Sequence, residues 1–137
     1  MSPSVVLDSE AVFVLSGGRS AALTEIQAAL EAARRLGRDV IIPTVVLAEL
    51  YRGRQRSQLI DSMLSRETGI ELRDTDRSFA RLVGGILAAA GADSTLMVDA
   101  HAVAAAVEAG GGVIMTSDPH DLERLAANYA NIHISKI

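Results

Sequence analysis

The chain has no cysteine, and aromatic residues make up only 3% of its 137 positions. Without cysteine, disulfides, thiolate metal sites and cysteine nucleophiles are excluded. With so few aromatics, the core must be built from Ala, Val, Leu and Ile. Long apolar runs are also missing, since the longest, from Leu96 to Val107, is interrupted by Asp99 and His101. It is too short to span a bilayer, so we expect no membrane segment.

An excess of positive charge is absent as well. The formal net charge is -4, so bulk positive charge cannot be what would hold an anionic polymer. Clustered acids that bind a divalent cation would change the sign locally. The first residues, Met1 to Ser4, lack the basic region of a secretory signal, and we therefore expect a cytoplasmic protein. A length of 137 residues fits a single domain over positions 1–137.

Short apolar strands alternate with amphipathic helices along the whole chain. This alternation predicts a three-layer α/β/α fold around a mainly parallel, five-stranded sheet. We expect Gly17 and Gly18 to end the first helix, Thr44 to cap the third and Asp121 to cap the last. The predicted strands are 4–7, 39–42, 70–73, 113–116 and 132–134, and the predicted helices are 9–15, 21–36, 45–52, 55–66, 76–90, 95–109 and 121–128.

Four acids occupy positions that a purely structural role explains poorly. Asp8 follows the first predicted strand and Asp118 follows the fourth, so parallel strands would place both at one edge of the sheet. Glu49 lies in the apolar segment VVLAEL, and Asp99 lies in LMVDAHAVAAAV. Neither segment contains Lys or Arg, and an unpaired buried carboxylate is destabilising unless its pKa rises.

A divalent cation would relieve this repulsion. Oxygen ligands without cysteine favour Mg²⁺ or Mn²⁺. Each acid alone has a simpler explanation, because an Asp after a strand is usually a turn or helix cap. An acid on an apolar helix often lies at a rim, in contact with water. The combination of four acids, each next to the same predicted edge, favours a metal site.

Four segments in this order resemble the PIN domain, and especially the VapC-type toxins of bacterial toxin–antitoxin pairs. They are VVLDSEAVFVL, PTVVLAEL, DSTLMVDAHAVAAA and VIMTSDPHDLERL, and the resemblance runs from Val5 to about Ile134. It implies the strand order 3-2-1-4-5, which makes the first and fourth strands neighbours. The family's site residues then fall on Asp8, Glu49, Asp99, Asp118 and the hydroxyl residue Thr116, with Ser117 as a further contributor.

The resemblance also implies a function. It is endonucleolytic cleavage of RNA, with one or two Mg²⁺ or Mn²⁺ ions held by the acidic quartet. A homodimer and a VapB-like antitoxin are the implied protein partners. Asp93 and Asp121 lie close to the motifs, and we interpret them as supporting or capping residues. His101 lies two positions after Asp99, about 200° around a helix, so the two side chains cannot share a site.

Two arginines suggest a contact with RNA. Arg52 and Arg56 stand three and seven residues after Glu49, and all three would share one helix face if that helix continued through Gly53. On that face they would hold phosphates beside the metal. A solvated arginine face after a helix end is the alternative.

Two other functions remain open. A receiver-type signalling module is also α/β with an acidic metal pocket, but it requires paired acids after the first strand. Its phosphoacceptor would be Asp74 and its lysine Lys136, which lies at the end of the chain. The other alternative is a PIN domain that is catalytically silent and retained for binding.

Overall fold

The computed structural model describes residues 3–17 and 20–137. Within these ranges, five strands alternate with seven helices, and a 3₁₀ turn at Ser94–Leu96 leads into the sixth helix. The strands are β1 (Ser4–Leu7), β2 (Val40–Pro43), β3 (Ile70–Arg73), β4 (Gly112–Thr116) and β5 (Ile132–Lys136). The helices are α1 (Ser9–Gly17), α2 (Ala21–Leu36), α3 (Thr44–Leu50), α4 (Arg54–Arg66), α5 (Arg77–Ala89), α6 (Met97–Glu108) and α7 (His120–Ala126).

The sheet has the order β3-β2-β1-β4-β5, and every neighbouring pair is parallel. The predicted fold class and strand order are therefore confirmed. Strand order reverses at β1, because the chain moves outward through β2 and β3 and then returns to place β4 on the other side. In the register of β1 and β4, Leu7 lies opposite Met115. The residues that follow these two strands consequently emerge side by side.

Side chains alternate between two cores, one on each face of the sheet. Val6, Ile41 and Ile114 pack against α5, α6 and α7. Their neighbours Leu7 and Ile42 point to the other face and pack against α1 to α4. Because both faces are covered, the central strands β1, β2 and β4 are almost wholly apolar, as expected for a parallel sheet, whereas the edge strands β3 and β5 include charged residues.

Helix α6 lies at the centre of the first face and is buried along most of its length. It packs on the sheet and on α5 and α7, and every residue from Ala100 to Ala106 is buried. Five of these seven residues are alanine, and small side chains allow a helix axis to approach its neighbours closely. His101 belongs to this core, where its Nδ1 lies 2.7 Å from the Met97 carbonyl and its ring meets Phe79 edge-on.

The start of β4 depends on a close approach between two backbones. Ser4 is buried and donates its hydroxyl hydrogen to the Gly111 carbonyl over 3.0 Å. A Cβ at position 112 would lie 2.5 Å from the Ser4 carbonyl oxygen, so only glycine fits there. This contact explains why β4 begins at Gly112, one residue earlier than predicted.

Both predicted boundaries of the helix after β2 are wrong. Thr44 is the first residue of α3 and not its cap, and its hydroxyl donates to the Arg73 carbonyl over 3.4 Å. The helix predicted over 45–52 ends at Leu50, and Gly53 adopts a positive φ of 89° before α4 begins. The left-handed conformation at this glycine reverses the chain between the two helices.

The last helix begins at His120, so Asp121 lies in its first turn and is not the cap that we predicted. The predicted end of α1 involves Gly18, which lies outside the described residues. None of the helices in the described ranges has the length and apolar character needed to cross a membrane.

Candidate active site

Asp8 lies at the point where strand order reverses, directly after β1. Its side chain is buried, with 4% exposure, and its Oδ1 accepts a hydrogen bond of 3.0 Å from the Ala11 N–H in the first turn of α1. Burial raises the pKa of Asp8, the nearby Thr116 hydroxyl and backbone N–H groups lower it, and the charge of Glu49 raises it further. Asp8 therefore does cap the start of α1, as expected of an acid that follows a strand. This hydrogen bond uses only one of its two carboxylate oxygens.

Thr116 connects the end of β1 with the turn after β4. It is fully buried, and its Oγ1 accepts a hydrogen bond of 3.0 Å from the Asp118 N–H. The same hydroxyl acts on Asp8, whose pKa it lowers. Asp118 itself is exposed, on the turn that follows the strand. Thr116 thus fixes the backbone that presents Asp118 while it contacts the neighbouring acid.

Asp99 enters the site from the opposite side, in the first turn of α6. Its pKa is raised to about 6, first by burial and then by the charges of Asp8, Asp121, Glu49 and Asp118. Partial burial of Asp99 weakens screening by water, so charges on nearby groups act on it more strongly. The four predicted acids therefore lie near one another at the carboxyl edge of the sheet.

Glu49 is exposed, although the apolar sequence around it predicted burial. It lies near the end of α3, whose buried residues Val46, Leu47 and Leu50 form the opposite side of the helix. The apolar segment is therefore one face of a short amphipathic helix. Because Glu49 and Asp118 are both exposed, their side chains are free to change rotamer.

Glu10 is a fifth acid at this edge that the sequence analysis did not select. It lies in the first turn of α1, partly buried. Its pKa is raised by burial and by the charges of Asp8, Asp118 and Glu49, against a backbone hydrogen bond from Ser117 that lowers it. A visible signal was present in the sequence, because Glu10 stands two residues after Asp8, just past the same predicted strand end.

The acids are suited to a hard divalent cation by their chemistry. The ion pairs of the described residues include none of Asp8, Glu10, Glu49, Asp99 or Asp118. Oxygen is the donor type that Mg²⁺ and Mn²⁺ prefer, and a cation at this point would offset the repulsion that raises the pKa of Asp99. The donor set and its electrostatics therefore fit such an ion.

The acids do not form a ready coordination shell. Among residues 3–17 and 20–137, no group of three or more His, Asp or Glu side chains is arranged so that it could hold a metal ion as placed. Binding an ion thus requires side chains to turn inward, which the exposed Glu49 and Asp118 are free to do. Buried Asp8, anchored at Ala11, is the fixed point around which the others would gather.

A cleft of ≈ 350 Å³ opens beside the acids, between α1, α3 and the turn after β4. Its wall combines the polar residues Ser9, Glu10, Glu49 and Ser117 with the apolar residues Phe13, Val14 and Leu50. Of the residues predicted to contact RNA, Ser117 therefore lies in the wall of this cleft.

The two arginines do not share a helix face with Glu49. The helix stops at Leu50, so the geometric reasoning behind that prediction is wrong. Arg52 lies in the connection, where its Nε donates to the Glu49 carbonyl over 3.2 Å. Arg56 lies on α4 with its guanidinium carbon 4.6 Å from the centre of the Phe13 ring. Both arginines nevertheless lie next to residues of the cleft.

The remaining acids near the motifs differ in role. Asp93 caps the 3₁₀ turn, because its carboxylate accepts from the Thr95 N–H over 2.9 Å. Asp121 adds negative charge to the surroundings of Asp99. Asp74 follows β3, the edge strand, and β2 separates it from β1. A phosphoacceptor at Asp74 would thus lie away from Asp8, which excludes the receiver-type arrangement.

Comparison with known proteins gives one family and a consistent fold. The model of the PIN domain family matches residues 5–128. No protein of curated function is significantly similar to the chain in sequence.

Solved structures share the fold over nearly the whole chain. A chain of VapBC2 from Rickettsia felis, crystallised bound to a DNA fragment from their promoter, is 16% identical with a TM-score of 0.64, and the match covers 97% of this chain and 98% of that one. A chain of DNA-bound VapBC from Salmonella typhimurium is 18% identical with a TM-score of 0.63, covering 98% of each chain. A chain of FitAB bound to an IR36 DNA fragment is 15% identical with a TM-score of 0.61, covering 96% of this chain and 94% of that one.

Proposed function

The chain belongs to the PIN domain family, and on that premise we propose that it is a metal-dependent endoribonuclease. The observation that supports this proposal most directly is the group of acids at the carboxyl edge of the sheet. They come from separate elements, their charges add to burial in raising the pKa of Asp99, and they take no part in the ion pairs of the described residues. Without a cation, such a group of acids destabilises the folded protein. With a cation, the same acids can hold the ion at the site.

In this proposal Asp8, Asp99 and Asp118 hold Mg²⁺ or Mn²⁺, and Glu49 binds directly or through water. Glu10 adds a further carboxylate at the α1 side of the crevice. A divalent ion, when bound, supplies Lewis acidity toward the phosphoryl group and lowers the pKa of a nearby water. Thr116 keeps Asp118 in position through the hydrogen bond to its backbone.

The residues of the chain would then orient the substrate and move a proton. Glu49 or Glu10, both at the wall of the cleft, accept a proton from the water that attacks phosphorus. In this proposal Ser117, Arg52 and Arg56 contact the RNA backbone near the scissile bond. The attacking water displaces an oxygen of the phosphodiester, and that oxygen takes a proton from solvent as it leaves.

We also propose that the protein is the toxin of a VapBC-type pair, acts as a homodimer, and meets its RNA in the cytoplasm. The similar folds of chains from VapBC and FitAB complexes support this reading. The site gives it a physical reason, because an arginine of an antitoxin could supply the positive charge that the acids need.

The test is cleavage of end-labelled RNA by the purified chain with Mg²⁺, with Mn²⁺ and with EDTA. Asp8→Asn is the matched variant, because asparagine caps a helix as well as aspartate does and the fold is preserved. We expect cleavage with metal, none with EDTA, and a loss of at least 100-fold in the variant, the scale on which a positioned catalytic group acts.

Equal cleavage by wild type and Asp8→Asn would identify a contaminating nuclease. If RNA is bound but never cleaved under any metal, the chain is a silent PIN domain, and the proposal of an enzyme is wrong. Isothermal titration with Mn²⁺ alone separates these cases, since it reports the metal site without any turnover.

A further inference from the structure

Phe13 is exposed at the edge of the candidate active site. The chain has two phenylalanines, and the other, Phe79, is fully buried in the core between α5 and α6. Phe13 instead leaves 47% of its surface in contact with solvent. Its position on α1, five residues after Asp8, places an aromatic ring beside the acids. An exposed ring at such a place is available to stack.

The ring lies in the same cleft as two of the acids. Phe13 and Val14 line this cleft together with Glu10, Glu49 and Ser117. Its volume of ≈ 350 Å³ is within the range of small-molecule sites. The cleft therefore combines a flat apolar surface with carboxylate and hydroxyl oxygens that accept hydrogen bonds.

A cation accompanies the ring. The guanidinium carbon of Arg56 lies 4.6 Å from the centre of the Phe13 ring, in the range of a cation–π contact. Arg56 is not among the residues that line the cleft, so the ring joins the wall of the cleft to a positive charge outside it.

We propose that this cleft seats one unpaired base of single-stranded RNA, stacked on Phe13, with Arg56 holding a phosphate of the same strand. The proposal deepens the proposed function and rests on it, since it assigns the position of a nucleotide beside the acids. Single-stranded RNA is recognised mainly by stacking of splayed bases on aromatic rings and by cations that follow the backbone. The exocyclic amino groups of a base would meet Glu10, Glu49 or Ser117.

A base fits this arrangement better than an apolar helix of a protein does. Helix-in-groove partners use apolar anchors over several turns. Here the apolar residues of the cleft are limited to Phe13, Val14 and the largely buried Leu50, and acids line the same cleft. The mixture of one ring, one cation and several acceptors corresponds to a nucleotide.

The test uses the full-length chain in the Asp8→Asn background, so that bound RNA is not consumed. Eight-nucleotide single-stranded RNAs carry 2-aminopurine at one position each, and its fluorescence falls when the base stacks. We expect quenching at one position of the oligonucleotide when protein and Mg²⁺ are added. Phe13→Leu should remove the quenching and weaken binding by about 5- to 100-fold, whereas Phe13→Tyr should retain both.

The matched control is Leu36→Ala, which alters another exposed apolar side chain, at the end of α2 and 57% exposed. It should change neither quenching nor affinity. Circular dichroism and urea unfolding of Phe13→Leu check the fold, and Arg56→Gln provides a second variant that should weaken binding while leaving the quenched position unchanged.

The inference is overturned if no position is quenched while RNA binds, if RNA does not bind, or if Phe13→Leu leaves quenching unchanged. It is also overturned if Phe13→Leu spares RNA and weakens only self-association or binding of an antitoxin, because the cleft would then be a protein interface. Failure of the proposed function is distinguishable. In that case wild type does not cleave RNA with metal, although stacking on Phe13 is still observed.

Discussion

Neutralising Asp99 should stabilise the metal-free protein and remove the stabilisation that metal brings. The pKa of Asp99 is raised to about 6 from an ordinary value of 3.8. A pKa that is higher in the folded than in the unfolded state means that folding weakens the charged form. The resulting penalty is absent well below pH 3.8, grows between about pH 4 and pH 6, and is complete above that range.

The size of the effect follows from the same two pKa values. The two pKa values set an upper limit of ~3 kcal/mol on the penalty at pH 7.5 and of ~1 kcal/mol at pH 4.5, and solvent screening of this partly exposed carboxylate reduces both. Asp99→Asn removes the charge at nearly constant volume. We therefore expect this variant, in EDTA, to be about 1–2 kcal/mol more stable than wild type at pH 7.5 and at most about 0.5 kcal/mol more stable at pH 4.5.

Bound metal should remove this difference in stability between Asp99→Asn and wild type. An ion that binds only the folded state at 100 times its dissociation constant adds about 2.7 kcal/mol of stability. Wild type gains this increment from Mn²⁺ at pH 7.5, while Asp99→Asn loses most of it. Wild type should then be at least as stable as the variant, and its advantage should grow with the Mn²⁺ concentration.

The assay is urea unfolding, followed by circular dichroism, at both pH values with EDTA and with Mn²⁺. Asp74→Asn is the control, because Asp74 is exposed and follows the edge strand β3. It should differ little from wild type. If Asp99→Asn is no more stable than wild type in EDTA at pH 7.5, repulsion among these acids is refuted. If this difference in stability persists in saturating Mn²⁺, the acids do not form a metal site.

Three further predictions concern single positions. Glu10→Gln should weaken Mn²⁺ binding about tenfold in calorimetric titration, and unchanged affinity would place Glu10 outside the site. Gly112→Ala should destabilise the protein by about 1–3 kcal/mol in urea, because its Cβ would lie 2.5 Å from the Ser4 carbonyl oxygen, and an unchanged midpoint would contradict this close approach. Arg73→Lys should lower the free energy of unfolding by up to about 1 kcal/mol, because lysine cannot reproduce the paired 2.7 and 2.9 Å hydrogen bonds to Glu108. This loss of stability should be smaller in 1 M salt.

Most of the fold could be predicted from the sequence, because the signals are local and repeated. Short β-branched strands alternate with amphipathic helices, and α2 begins and ends where the pattern predicts, with Gly37 as its left-handed cap. Strand order came from the family resemblance. Alternation alone requires parallel pairing but does not say which strands are neighbours.

The helix boundaries that were predicted wrongly depend on contacts between segments that are distant in the sequence. Thr44 has the side chain of a helix cap, but its hydroxyl meets the Arg73 carbonyl, which the chain supplies from β3. Gly53 in an arginine-rich segment was compatible with either a continuous helix or a break, and its positive φ decides the matter. These helix boundaries are set by packing between distant segments, which helix propensity does not describe.

The sequence indicated the acids through their unusual surroundings, but it misjudged how they are placed. Glu49 was selected because its neighbours are apolar, yet the helix turns that apolar side inward and leaves the carboxylate exposed. Glu10 was passed over because a single acid in the first turn of a helix is ordinary. Only the three-dimensional arrangement shows that it shares its surroundings with Asp8, Asp118 and Glu49.

The alanine-rich course of α6 has a consequence for how the site can evolve. The helix that carries Asp99 rests on the sheet through side chains of minimal size, and every residue from Ala100 to Ala106 is enclosed. A single methyl group added to the sheet-facing side of α6 would push the helix away from the sheet. The Asp99 carboxylate would then move away from the other acids of the site, although none of the acids would have been substituted. The affinity of the proposed metal site is thus adjustable from within the hydrophobic interior, and variants that lose the proposed activity can arise with all of their acids intact.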